Sequence, residues 1–440
     1  MRERVLNTVG FPLTGAVAAH AGRGTERLVP RDSISPIISW AFYAFVFSIL
    51  FEGLPIGIPL ELTQVTGAFL VLATLLQPYH CFRRAPAALW CFAAYLYVGA
   101  LSLAFHNGLS DEDARWKLAV FAQLILMFWI AYNLMRHQRV ARGALLALIA
   151  SSVLLSVLQL FGLALPTISH RSLVDRFASF GLDPNQMACI LSFGLLALIG
   201  ITYDSYSRTL LLRVLVWPLY ILVAATTVQT GSRGGILAFG AGLITLMLRK
   251  GTVWEKVRNA LVVLLGIGLA ILIALQSDVV RYRFDKTVEG GDTTARERIY
   301  PAALQVFLEE PLIGWGIQAN TNEIEARVGM QNYEHLDAHN LILYVLTSTG
   351  LLGAIPFLAG IWLCVRGAWK ARGGADGSLP FAMVITLLVA DMSASGLHWK
   401  HHWLILAYAL ASGCNPPVTR LPPVKVWQNS RVGRRGAAAA

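Results

Sequence analysis

The sequence predicts an all-α integral membrane protein with about twelve transmembrane helices. Hydrophobic residues make up 56% of the chain and charged residues 14%, and the mean hydropathy is +0.58. Soluble domains carry about 25% charged residues, so the composition excludes an ordinary soluble fold. Apolar runs recur along most of the chain, and a single long polar segment interrupts them.

Twelve apolar runs are the candidate spans, and the third and the ninth are the clearest. Several are shorter than the ~20 residues that a helix needs to cross a ~30 Å hydrocarbon core, so their boundaries are approximate. The runs lie near residues 36–51, 62–77, 87–105, 117–135, 143–165, 186–203, 211–229, 234–248, 260–276, 340–365, 379–396 and 402–415.

The basic residues predict the orientation of these spans. With a cytoplasmic N-terminus, 24 of the 36 Lys and Arg residues fall in inside segments and 12 outside, half of the latter in the long polar loop. Lys and Arg favour cytoplasmic connectors, so both termini are expected inside. The pI near 9.6 therefore reflects these connectors and not a nucleic-acid site.

The chain divides into five segments on this basis. Residues 1–33 and 416–440 are interpreted as cytoplasmic tails, 34–276 as the first nine spans, 277–338 as an outer loop, and 339–415 as the last three spans. A signal peptide at the N-terminus is disfavoured, because polar residues, glycine and proline interrupt the stretch that should be apolar. The five scattered cysteines are interpreted as unpaired small hydrophobes.

The loop 277–338 carries eleven acidic and six basic residues, which marks it as a structured element outside the membrane. Thr294 and Glu297 have the spacing of a capping box, and an apolar face follows through Ile299, Ala303, Val306 and Phe307. Pro301 is expected to kink this helix and Pro311 to end it. A second short helix is expected from Asn320 to Gly329.

Three outward-facing span ends hold the candidate functional residues. These are Arg176 and Asn185 before the sixth span, Ser232 and Arg233 in a Gly-rich turn before the eighth, and Arg296, Arg298, His339 and Asn340 around the long loop. Guanidinium groups bind phosphate oxygens bidentately, and the glycines around Arg233 could bring backbone N–H groups close to an anion. The alternative is that these arginines have no functional role and simply place their guanidinium groups in the water at the membrane interface.

His339 is the candidate general base, because an imidazole accepts a proton near neutral pH. A metal site with His335 and Asp337 is the alternative; it lacks a third clear ligand and ranks lower, so no metal and no cofactor are expected. His398, His401 and His402 are interpreted as a polar cap at the membrane interface beside Trp399 and Trp403. Asp391 is either a functional intramembrane carboxylate or a partner of a neighbouring hydroxyl.

Together these residues resemble the bacterial O-antigen ligase and polymerase superfamily over roughly residues 170 to 365. The matching motifs are Ser232-Arg233-Gly234, Arg296 four residues before the aromatic Tyr300, Pro311-Leu312-Ile313-Gly314-Trp315-Gly316, His339-Asn340, Gly350-Leu351-Leu352-Gly353 and the upstream Pro184-Asn185. Tyr300-Pro301 departs from the family pattern, which tends to place tryptophan and a non-proline there, so both Arg296 and Arg298 are kept as candidates.

The resemblance implies a GT-C-like glycosyltransferase of the bacterial inner membrane whose active site faces the periplasm. The donor would be a glycan on undecaprenyl pyrophosphate, and the ligase acceptor a sugar hydroxyl of lipid A-core. His339 would act as base, with Arg233 and Arg296 on the pyrophosphate and Arg176, Arg298, Asn185, Ser232 and Asn340 binding substrate. A polymerase that joins two carrier-linked repeats is the alternative within the superfamily.

A transporter of lipid-linked glycans is the alternative from another class, since twelve spans also suit carriers. A carrier is expected to show repeat symmetry between its halves and charged residues near the bilayer midplane. The polar groups of this chain gather at one predicted face instead, which favours an enzyme. A structural scaffold would leave Arg233 and the His339-Asn340 pair without a purpose.

Overall fold

The computed structural model describes residues 34–55, 57, 60–106, 110–165, 177–204, 210–246, 296–329, 337–374 and 376–414, with isolated positions between 252 and 268. Within this part of the chain the regular secondary structure is helical throughout. The predicted tails, the ninth span near 260–276, the start of the long loop with Thr294, and Arg176 and His335 lie outside the described residues.

Eleven of the twelve predicted spans coincide with a helix of the described residues. The described part of the chain forms fourteen α-helices: α1 (Pro36–Ser48), α2 (Leu62–Thr74), α3 (Pro78–Phe82), α4 (Ala87–Phe105), α5 (Glu112–Met135), α6 (Gln138–Leu160), α7 (Pro184–Asp204), α8 (Leu210–Gln229), α9 (Arg233–Leu246), α10 (Arg296–Glu309), α11 (Ala319–Val328), α12 (Leu341–Ala371), α13 (Leu379–Asp391) and α14 (Lys400–Ser412). Short 3-10 turns, η1 (Ile49–Phe51) and η2 (Gly396–His398), extend α1 and precede α14.

Five of these helices are long and apolar enough to cross a membrane, namely α4, α5, α6, α7 and α12. Five other apolar stretches are shorter: Pro36–Phe51, Leu62–Thr74, Val216–Gln229, Arg233–Leu246 and Leu379–Asp391. At 1.5 Å per residue, the 13 residues of α13 or α14 span about 20 Å. The chain is thus a multi-pass helical membrane protein.

The short helices α13 and α14 lie inside the bundle. Nearly all of their residues are buried; α13 packs against α7, α9 and α12, and α14 packs against α5, α12 and α13. A helix surrounded by protein does not have to match the bilayer thickness, because non-helical backbone is tolerated at membrane depth where protein covers it. This accounts for the irregular chain between α13 and α14.

The segments that connect the helices fall into two groups according to which of them contact each other, and the predicted topology also has two groups. In the first group, the connections after α1, before α7, after α8 and before α14 touch one another: Gly53 N donates to Phe180 O (2.8 Å), Phe177 N donates to Gln229 O (3.1 Å), and Lys400 Nζ lies 3.1 Å from Glu61 Oε2. These are the segments predicted to face outward.

The second group joins the connections predicted to face inward. Ser35 N donates to Gln77 Oε1 (2.8 Å), Arg84 N to Asn133 Oδ1 (3.1 Å), and Ser378 Oγ to Leu246 O (3.1 Å), while Arg142 Nε lies 3.9 Å from Asp376 Oδ1. Each of these contacts links two segments of the same predicted side. These contacts agree with the alternation read from the apolar runs, and the orientation of the helices stays a prediction.

The two predicted helices of the long loop are present as α10 and α11. α10 buries Ile299, Ala303 and Val306, as predicted, and also Ala302. It runs on through Pro301 and ends at Glu309, just before Pro311. α11 ends at Gly329, whose φ of 65° is the left-handed conformation that favours glycine at a helix C-terminus.

A kink at Gly350 interrupts α12, and the segment 311–316 fills it. In a regular helix the amides of Leu351 and Leu352 would donate to the carbonyls of Thr347 and Ser348. Here those amides donate to Pro311 O (2.8 Å) and Leu312 O (3.0 Å), and the freed carbonyls accept from Trp315 N and Gly316 N (both 2.9 Å). The Pro-Leu-x-Gly-x-Gly and Gly-Leu-x-Gly motifs thus interlock through their backbones.

Candidate functional site

The candidate site is organised around a two-residue turn, Met392–Ser393, which follows α13; we call it the 392–393 turn. The Met392 carbonyl accepts hydrogen bonds from Tyr300 Oη (3.3 Å) and Asn340 Nδ2 (3.4 Å). The Ser393 carbonyl accepts one from Arg296 Nη2 (2.7 Å). The start of α10 and the residues before α12 therefore meet at one point.

The start of α9 packs on the same turn. A Cβ added to Gly234 would overlap the Ser393 side chain, so the backbone beside Arg233 approaches Ser393 closely. Arg233 is the first residue of α9 and is partly exposed. The structure thereby brings the Ser-Arg-Gly turn, Arg296 and the His339-Asn340 pair to one place, although they are far apart in the sequence.

Ser232 joins the starts of α9 and α7. Its hydroxyl accepts from Gly235 N (3.1 Å), which caps α9, and donates to Asn185 Oδ1 (2.9 Å) in the first turn of α7. Asp183 caps α7 by accepting from Asn185 N (2.7 Å), and Pro184 takes the first helical position, where its missing N–H costs nothing. Since Ser232 is buried, its role in this structure is to hold two helix starts together.

The glycines beside Arg233 have a packing role, and the anion-binding nest stays a prediction. Beyond the contact of Gly234 with Ser393, a Cβ at Gly235 would lie 2.5 Å from the Ala188 Cβ of α7. Gly231 adopts φ 61°, which the tight turn requires. The space that side chains would need at positions 234 and 235 is filled by protein.

Arg296 and Arg298 occupy different environments on α10. Arg296 is partly buried, and its Nε is buried without a hydrogen-bond partner among the described residues. Arg298 is exposed. Tyr300, which departs from the family pattern, binds the backbone of this site, since its hydroxyl also donates to His339 O (3.4 Å).

His339 and Asn340 form the entry to α12. His339 has φ 47°, a left-handed conformation that is uncommon outside glycine, although histidine is among the residues enriched there. Asn340 caps the helix, because its Oδ1 accepts from Ile342 N (3.0 Å) and Leu343 N (3.1 Å). The side-chain oxygen of Asn340 is thus used to cap α12. His339, one residue earlier in the chain, is partly exposed.

Four helices begin at this site, so the positive ends of four helix dipoles lie close together. The starts of α7, α9, α10 and α12 are linked by the Asn185–Ser232 bond and by the contacts of Gly234, Arg296 and Asn340 with the 392–393 turn. A helix N-terminus carries roughly half a positive charge and exposes unpaired N–H groups. With Arg233 and Arg296 beside them, these ends favour an anion.

Asp391 and three histidines lie next to the turn, and the interface-cap interpretation of the histidines is wrong for two of them. His401 is 1% exposed and His402 0%, and Trp399 and Trp403 are buried with them. Asp391 pairs with His402 and not with a hydroxyl: Asp391 Oδ2 lies 3.0 Å from His402 Nδ1.

Charged groups from several outer segments surround His398. His398 is exposed, and the charges closest to it come from Asp337, Lys117 and Asp183. Nearby, Lys400 pairs with Glu52 and Glu61. Burial raises the pKa of Glu52, and the ammonium of Lys400 counters that effect. The end of the described bundle that is predicted to face outward therefore carries both signs of charge around the candidate site.

The metal alternative at His339 is not decided by the structure, because His335 lies outside the described residues. Among the residues that are described, no group of three His, Cys, Asp or Glu side chains is arranged to hold a metal ion. All five cysteines are free thiols, and Cys414 is exposed.

Sequence reasoning missed the 392–393 turn and Tyr300. Both contribute through hydrogen bonds at the backbone of the turn, and such contacts leave little trace in residue type. The only signal was the sequence from Asp391 to Gly396, where an acid, two serines and a glycine break an apolar run. That break marks the end of a helix inside the bundle.

The fold and the site define a class of protein: a multi-pass helical membrane protein with arginines and a histidine at one face. Residues 218–358, about a third of the chain, match the family model of the O-antigen ligases. The matched range contains Arg233, Arg296 and His339. No curated protein matches the chain. Members of the family are ligases and polymerases of the glycosyltransferase type.

Proposed function

We propose that this protein is an O-antigen ligase of the bacterial inner membrane, with a GT-C-like architecture and a site facing the periplasm. It transfers the glycan from undecaprenyl pyrophosphate to a sugar hydroxyl of lipid A-core. The observation that carries the proposal is the meeting of Arg296, the Asn340 side chain next to His339, and the start of α9 with Arg233 at the 392–393 turn.

In the proposed reaction, the acceptor oxygen attacks the anomeric carbon of the glycan. The bond from that carbon to the phosphate oxygen breaks, and undecaprenyl pyrophosphate leaves with the electron pair. His339 takes the proton of the acceptor hydroxyl. Attack opposite the leaving group inverts the anomeric centre.

Positive charge at the site stabilises the leaving pyrophosphate. Arg233 and Arg296 supply permanent charge, and the N-termini of α7, α9, α10 and α12 add oriented N–H groups. Fixed charges of this kind are typically the largest catalytic contribution. Since these groups can meet the charge that develops, the proposed reaction needs no divalent cation. Arg176 and Arg298 are proposed to bind the substrate.

Reconstitution tests the proposal. The purified protein is placed in liposomes with a carrier-linked glycan and either lipid A-core or a second carrier-linked unit, and products are separated by gel and mass. Transfer to lipid A-core is expected, in the presence or absence of a chelator. Transfer only to the second carrier would identify a polymerase, and loss of transfer on chelation would exclude the metal-free reaction.

The His339→Ala variant tests the assignment of the base. We expect the transfer rate to fall by about 10²–10⁴-fold, the usual contribution of a general base, with the protein still inserted and folded. His80→Ala is the matched control, because it removes an imidazole from α3, in a connection predicted to face the opposite side of the membrane. A near-normal rate for His339→Ala would contradict the assignment.

A further inference from the structure

The buried pair Asp391–His402 links the two ends of the chain between α13 and α14. Asp391 is the last residue of α13, His402 lies in the first turn of α14, and both side chains are 0% exposed. Asp391 Oδ2 lies 3.0 Å from His402 Nδ1. The contact is a close approach of two polar groups without hydrogen-bond geometry, since neither carboxylate oxygen has a hydrogen-bond partner among the described residues. Because a buried carboxylate without any partner is very costly, His402 is the residue that compensates Asp391. We call the intervening chain the 392–399 segment.

The 392–399 segment is short of regular backbone bonds and depends on side chains. Trp403 Nε1 donates to Leu397 O (2.8 Å). Gly396 fits between the Asp391 carboxylate and the Trp399 ring, since an added Cβ would lie 2.5 Å from Asp391 Oδ1 and 2.6 Å from Trp399 Cε3. The carboxylate therefore touches both its partner on α14 and the middle of the segment.

The beginning of the same segment is the 392–393 turn. Its two carbonyls hold Arg296, Tyr300 and Asn340. A small displacement of the segment would move all three of these bonds together. Because Asp391 is covalently joined to Met392, whatever fixes Asp391 also fixes the first of the two carbonyls.

We propose that Asp391 and His402 are positioning residues: their contact clamps the 392–399 segment and so sets where Arg296 and the His339-Asn340 pair stand. Neither residue contacts substrate in this proposal. It rests on the proposed function for its catalytic consequence, but the clamp itself is a property of the fold.

Four variants and one control test the clamp. His402→Leu and Asp391→Leu remove the contact, while His402→Asn keeps it, because the asparagine amide nitrogen takes the place of Nδ1. The double leucine variant replaces the whole pair by apolar groups, a change that is often neutral or stabilising for a buried ion pair. Tyr408→Phe is the control, because Tyr408 also lies on α14 but far from the 392–399 segment. The substitution removes the hydrogen bond that Tyr408 Oη donates to Asp376 Oδ2 (3.1 Å).

The measurements are hydrogen exchange of the 392–399 segment, thermal stability and transfer rate. In both single leucine variants and in the double variant, we expect exchange of the Met392 and Ser393 amides to rise and transfer to fall, each by about tenfold or more. His402→Asn should remain near the unmodified protein in both. Tyr408→Phe should lower only the thermal stability.

A purely structural role predicts a different pattern. If the double leucine variant regained both stability and transfer, or if His402→Leu left exchange unchanged, the clamp would be refuted. If a single leucine variant does not fold, the double variant and His402→Asn decide the question. Should the unmodified protein transfer no glycan at all, the proposed function would fail, and the exchange comparison would still test the clamp.

Discussion

Arg296 and Arg298 have the same side chain and are separated by one residue, yet their surroundings in the structure differ. They lie on the same helix, and the sequence keeps both as candidates although only Arg296 matches the motif position four residues before Tyr300. In the structure Arg296 is partly buried with Nη2 on Ser393 O, whereas Arg298 is exposed. A guanidinium with one nitrogen fixed by the protein has its remaining N–H groups pre-oriented for an anion.

Substituting each arginine by lysine should separate their roles. Lysine keeps the charge but loses the planar fork, so Arg296→Lys gives up a hydrogen bond to a charged group. Such bonds contribute about 1.5–3 kcal/mol, and we expect transfer to fall roughly 10–100-fold. Arg298→Lys should stay within about threefold, since an exposed charge is replaced by another. Equal losses in the initial transfer rate would contradict this assignment.

At the scale of elements, the long loop and α12 form one unit. The segment 311–316 replaces the hydrogen bonds that the kink at Gly350 breaks, and Ser102 Oγ on α4 secures it by donating to Gly314 O (2.8 Å). Asn320 Nδ2 on α11 also donates to Thr347 Oγ1 (3.1 Å) beside the kink. The described end of the loop is thereby tied to the helix that begins next to His339.

Gly350→Ala should break this interlock. Gly350 has φ 55° with ψ −161°, a conformation reserved for glycine, and an added Cβ would collide with the Leu312 backbone. We expect a loss on the order of 3–5 kcal/mol in unfolding free energy, seen as a lower melting temperature in detergent.

Gly240→Ala is the matched control for that measurement. Gly240 lies in α9 with nothing within 4 Å of an added Cβ. Because alanine is the better helix former by about 1 kcal/mol, this variant should be neutral or slightly more stable. A similar loss in both variants would refute the interlock.

At the scale of the whole molecule, the described bundle places short buried helices inside and longer ones around them. α13 and α14 can be short because α5, α7, α9 and α12 surround them, which leaves room at membrane depth for the 392–399 segment. The two groups of connecting segments give the bundle two chemically different ends. The candidate site lies at the end predicted to face outward.

Cysteine labelling in spheroplasts checks the sidedness. Cys414 is exposed and belongs to the inner group of contacts through the pairing of its Sγ with Tyr132 Oη (3.4 Å). A membrane-impermeant maleimide should label Cys414 only after permeabilisation, and Leu60→Cys, at an exposed outer position, in intact spheroplasts. Cys414→Ser provides the background. Labelling of both positions under one condition would contradict the predicted alternation.

Much of the fold could be read from the sequence because lipid and helix periodicity act locally. The apolar runs gave eleven of the described helices to within a few residues, and the turn signals gave α10 and α11. The same reasoning could not find the kink at Gly350 or the burial of His401 and His402, since these depend on which segments meet.

The sequence by itself determined a helical membrane protein, its candidate arginines and histidine, and motifs that resemble those of the O-antigen ligases, because hydrophobicity, charge and short motifs are properties of local residues. Only the tertiary structure decided that Ser232 and Asn340 hold helix starts, that the glycines beside Arg233 serve packing, and that the 392–393 turn unites the motifs. These roles arise from backbone contacts between segments that are distant in the chain. Every residue carries the same backbone carbonyl, so residue type does not predict which carbonyl will accept such a contact.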